Sequence, residues 1–135
     1  MILASLLFAF LAAALHVYIF TMESVTWTRP ATWKRFGVGS QADAEVTRPL
    51  AYNQGFYNLF LAIGAFIGVG LAALGEEGSG RSVAGWTLVF SSCGSMVLAA
   101  AVLAGTGRKY LRPAATQGTL PLLAVVLGTL ALVMT

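Results

Sequence analysis

The sequence predicts an all-α integral membrane protein, a bundle of four spans, and three observations point there. Four apolar runs are long enough to cross a bilayer core of about 30 Å, which takes about 20 helical residues. Hydrophobic residues make up 58% of the 135 and charged ones 10%, far below the roughly 25% charged of a soluble domain. None of the runs alternates apolar with polar residues, so helices are expected and strands are not. The 135 residues read as one domain.

The first span is expected over residues 2–27. It lacks the basic leading segment of a signal peptide, although Ala12, Ala13 and Ala14 imitate a cleavage site, so it is read as a span. It holds the chain's single histidine, His16, and an acid, Glu23, seven residues on. Seven residues is close to two helical turns, which puts both side chains on one face about 10 Å apart. An ionisable group facing lipid is costly, so that face should meet protein or water.

The first loop runs from about residue 24 to 48. Its Trp33-Lys34-Arg35-Phe36 cluster suits a segment lying on an anionic surface, and equally a loop that only orients the chain. The second span is expected over residues 49–74, with Pro49 in its first turn, where a missing N–H does no harm. Gly75-Glu76-Glu77-Gly78-Ser79-Gly80 is a tight, wet turn. The third span is expected over residues 83–104 and contains the one cysteine, Cys93; no internal disulfide can form, and a buried, inert thiol is expected. Pro113 opens the fourth span, residues 114–134, and Pro121 is placed to kink it. Gly64 and Gly68, with Ser91, Ser92, Gly94 and Ser95 on the third span, allow close helix approach, to another span or to another subunit.

Direction follows from the basic residues. Arg29, Lys34, Arg35 and Arg48 lie in the first loop, Arg108, Lys109 and Arg112 in the third, and Arg81 alone in the second. Both basic loops are therefore expected in the cytoplasm and both termini outside. Trp27 and Trp33 are then expected at the inner membrane interface and Trp86 at the outer one. The net charge of +3, split among short loops, does not make a nucleic-acid patch.

With direction set, the polar residues of the spans collect toward the cytoplasmic side: His16, Glu23, Tyr52, Asn53, Gln54, Tyr57, Asn58, Thr116 and Gln117. The expectation is a polar pocket between spans one, two and four, open to the cytoplasm and apolar above, fitting a lipid-like amphiphile. Glu23 and His16 are the candidate catalytic acid and base. Tyr18, Arg48, Asn53, Gln54, Tyr57, Asn58 and Gln117 are the candidate ligand contacts. Arg48 or a loop cation is the expected partner of Glu23, and Asn53 or Asn58 that of His16. The same amides also serve as helix-to-helix glue. A proton-coupled exporter and a structural subunit without ligand are the competing readings. No metal-ligand spacing, phosphate-cradling glycine loop or nucleophilic triad is present, and nothing names a cofactor. Membrane lipids and further copies of the chain, as a dimer or trimer, are the expected partners.

His16-x-Tyr18-Ile19-Phe20-x-x-Glu23-x-x-x-Trp27, Phe36-Gly37, Asn53-Gln54-Gly55-x-Tyr57-Asn58 and Gln117-x-x-x-Pro121 resemble the domain-of-unknown-function family numbered 1304, small bacterial membrane proteins of four spans. The resemblance implies that architecture in a bacterial plasma membrane, and no activity. A weaker likeness is to the membrane-associated eicosanoid and glutathione metabolism family, trimers with glutathione held at the cytoplasmic side. Arg48 and Asn53 stand near where that family has an Arg and an Asn. The spacing is one residue longer, and Phe56 occupies the place of that family's acid.

Overall fold

The computed structural model describes residues 1–134, which contain helices and no strand. Helix α1 (Ile2–Phe20) runs into one wide turn at Thr21–Val25. Then come α2 (Pro30–Arg35), α3 (Gln41–Leu74), α4 (Gly80–Thr106), a 3-10 turn at Arg108–Tyr110, and α5 (Leu111–Val133). Four stretches are long and apolar enough to cross a membrane: Ile2–Val25, Gln41–Leu74, Gly80–Thr106 and Arg108–Val133. The chain is built as a multi-pass membrane protein, and it divides into two compact units, Met1–Leu15 with Leu61–Thr135, and His16–Phe60.

In the first unit small residues set the helix contacts. A Cβ on Gly68 would come within 2.8 Å of the Val89 nitrogen and 2.9 Å of the Gly85 carbonyl oxygen, and one on Gly64 within 2.6 Å of Ser92 Oγ. A Cβ on Gly85 would overlap the backbone of Ala72. The glycine pair on the second span thus meets the third span of the same chain, and α3 and α4 touch backbone to backbone. Ser5 Oγ donates to the Ala124 carbonyl at 2.7 Å, joining α1 to α5. Val89, Cys93, Met96 and Pro121 form the innermost packing. Trp86 is buried and stacks on Phe90 at 5.6 Å. The wet turn before α4 is as expected: Gly78 takes φ +72° and Ser79 Oγ accepts from the Ser82 N–H at 3.2 Å.

In the His16–Phe60 unit, α3 starts eight residues earlier than its apolar run. Ser40 Oγ accepts from the Asp43 N–H at 3.1 Å and donates to Asp43 Oδ2 at 2.7 Å, a reciprocal cap that starts a helix in polar sequence. Pro49 therefore lies inside the helix and not in its first turn. There its ring frees the carbonyl four residues back. At 1.5 Å per residue α3 is about 51 Å long, about 20 Å more than the bilayer core takes up.

The first loop docks on that surplus. Trp27 Nε1 donates to the Ala44 carbonyl and Trp33 Nε1 to Gln41 Oε1, both at 2.9 Å. Both indoles are buried, and Phe36 packs 5.2 Å from the Trp27 ring. A buried indole needs an acceptor for its N–H, and α3 supplies one to each. Lys34 and Arg35 stay exposed.

Candidate functional site

The end of the first span departs from the α-helix at Thr21. The Thr26 N–H bonds to the Thr21 carbonyl at 3.0 Å, five residues back, a π turn with one residue more than the helical repeat. Side-chain hydroxyls support it: Thr21 Oγ1 donates to the Tyr18 carbonyl at 2.7 Å, and Thr26 Oγ1 to the Thr21 carbonyl at 3.3 Å. Such bonds compete with the regular ladder and bend helices.

Glu23 lies in this turn, 8% exposed. Asn58 Nδ2 donates to its Oε2 at 2.8 Å and to the Gln54 carbonyl at 3.2 Å. Ser24 Oγ donates to the Tyr52 carbonyl at 2.8 Å. Gly55 makes this approach possible, since a Cβ there would overlap Ser24 Oγ and stand 3.1 Å from the Cβ atoms of Glu23 and Ser24. The partner of Glu23 is thus an amide and not the expected cation. Arg48 is exposed on α3, ten residues and about 15 Å before Asn58. His16 is 2% exposed. The additional residue in the π turn takes Glu23 off the strict two-turn stripe, yet both side chains stay inside. Among the described residues no buried side-chain nitrogen or oxygen lacks a hydrogen-bond partner.

Beside this clamp is a cleft of about 200 Å³. Tyr18, Thr21, Met22 and Thr26 form one wall and Ala31, Thr32 and Arg35 of α2 the other. Arg35 Nη1 donates to Tyr18 Oη at 3.0 Å and to Met22 Sδ at 3.7 Å. The hydroxyls of Thr26 and Thr32 are 3.1 Å apart and bridge the walls.

A family model described as "Protein of unknown function (DUF1304)" matches residues 10–129. The chain belongs to the DUF1304 family. No curated protein and no solved structure matches it.

Of the residues expected from sequence, the DUF1304 chain brings Glu23 and Asn58 together and puts Tyr18 on the cleft. Arg48, Asn53, Gln54 and Tyr57 are exposed on α3 and do not line it. Gln117 is half-buried on α5, in the other unit. Sequence reasoning missed Thr21, Met22, Thr26, Thr32 and Arg35. The signal was there in the mixed basic and aromatic run at Trp33–Phe36, whose indole and ring turn inward and leave Arg35 at the cleft. Among the described residues no group of three His, Cys, Asp or Glu side chains is placed to hold a metal ion.

Proposed function

We propose that this DUF1304 protein holds the polar head of a lipid-like amphiphile at the cytoplasmic face of the membrane, in the cleft between the end of the first span and α2. The make-up of the cleft supports this most: four hydroxyl groups, on Tyr18, Thr21, Thr26 and Thr32, beside Met22 and Ala31, at the end of an apolar span. Polar and apolar contacts meet there as they do along an amphiphile. A cavity of about 150 Å³ holds a benzene ring, so the cleft of about 200 Å³ has room for a head group. The basic first and third loops support a cytoplasmic placement of this face, with both termini outside.

Glu23 and His16, the two buried ionisable groups of the unit, do not line the cleft, so their part is to hold its wall and not to exchange protons with a bound molecule. The Asn58 amide orients the first of them, and the clamp holds the wall formed by Thr21 and Met22. The test is native mass spectrometry of the full chain released from detergent. Wild type should carry an amphiphile adduct. Ala31→Trp, a change at an exposed wall residue, should plug the cleft and lose it. An undiminished adduct on Ala31→Trp would contradict the proposal.

A further inference from the structure

Resting on that reading of the cleft, we infer that it selects a phosphate-type oxyanion, with Arg35 as the anchoring cation and the Tyr18 hydroxyl as the positioning group that holds its guanidinium. The partners of Arg35 are Tyr18 Oη and Met22 Sδ, both uncharged and both reached through Nη1. A guanidinium has five N–H donors in a rigid fork. With Nη1 turned to those two atoms, Nε and Nη2 keep the edge that takes two oxygens of an oxyanion in parallel. Tyr18 Oη accepts from Arg35 Nη1, and this bond fixes the guanidinium, with its Nε/Nη2 edge unoccupied, before any ligand arrives.

The rest of the lining agrees in sign. No Asp or Glu lines the cleft, so an anion meets no repulsion there and a choline or ethanolamine ammonium meets no counter-charge. The threonine hydroxyl hydrogens are largely committed. Thr21 gives its own to the Tyr18 carbonyl, and Thr26 to the Thr21 carbonyl. Selectivity therefore falls on Arg35, held by Tyr18. The two parallel donors of the Arg35 edge match an exposed phosphate, as found on a phosphomonoester lipid or on free phosphate.

The full chain in detergent micelles is titrated with dioleoyl phosphatidic acid, dioleoyl phosphatidylcholine and inorganic phosphate, and bound ligand is counted by native mass spectrometry. Wild type should bind phosphatidic acid about tenfold tighter than phosphatidylcholine, Arg35→Gln should lose about that factor, and Tyr18→Phe a smaller part of it. Tyr18→Phe removes only the hydroxyl of an exposed residue, so it carries the test should Arg35→Gln elute as aggregate. Competition by inorganic phosphate at similar concentration would identify free phosphate as the ligand, and its failure to compete would identify the lipid head group; either result upholds an oxyanion site. Equal binding of both lipids by wild type, or an equal loss in Arg112→Gln, would overturn the oxyanion assignment and leave the amphiphile reading standing. A wild type that retains no amphiphile at all would sink both.

Discussion

Replacing Gly55 by Ala should uncouple the π turn from α3. The added Cβ would overlap Ser24 Oγ and crowd the Cβ atoms of Glu23 and Ser24 at 3.1 Å. To relieve that overlap the two segments must part, stretching the Ser24–Tyr52 and Asn58–Glu23 bonds. Overpacking of this kind costs about 1–3 kcal/mol, and each interhelical bond about 0.6 kcal/mol more. The expected loss is therefore about 2–4 kcal/mol, offset by less than about 1 kcal/mol from the helix propensity gained over glycine. Two companions isolate the cause. Gly70→Ala on the same helix meets nothing within 4 Å and should be neutral or slightly stabilising. Ser24→Ala with Gly55→Ala removes the overlapped oxygen and should recover about half of the loss. The assay is equilibrium unfolding in mixed micelles, followed by tryptophan fluorescence, since Trp27 and Trp33 are buried in the same unit. A Gly55→Ala variant as stable as Gly70→Ala would refute the clamp.

Two further outcomes follow from the packing. Gly85→Ala should destabilise by about 1–3 kcal/mol through its overlap with the Ala72 backbone, while Gly94→Ala, with open space around it, should not; the same unfolding assay compares them. Trp33→Phe keeps the ring and removes the bond to Gln41 Oε1, which should cost about 0.5–1.5 kcal/mol and speed proteolysis within the first loop. An unchanged cleavage rate there would mean the loop is not held by that bond.

The spans were legible because the bilayer demands length and apolar composition, and both are visible in a single chain. What polar sequence adds was harder to read. The Ser40-x-x-Asp43 cap begins α3 inside a stretch with no hydrophobic signal, so the helix was expected only from Pro49. The site divides the same way. Glu23 and Asn58 stood out as polar groups in apolar runs, and the structure joins them. Arg35 and Thr32 lie in a loop whose charges already had an explanation in orienting the chain. Only the docking of two indoles on α3 turns that loop into a wall. Arg48, Asn53 and Tyr57 share the helix of Asn58 but point outward, because helical phase, and not proximity in sequence, decides which side chains face inward; Gln54, one turn before Asn58, is on its face but exposed.

The most direct measurement is photo-crosslinking of the full chain in liposomes with phosphatidic acid carrying a diazirine at its head-group end, followed by peptide mapping. Adducts should concentrate on the wall residues from Tyr18 to Thr26 and from Ala31 to Arg35, and should fall away in Ala31→Trp. Adducts spread evenly over the helices, or centred on α4 and α5, would contradict a head-group site in this cleft.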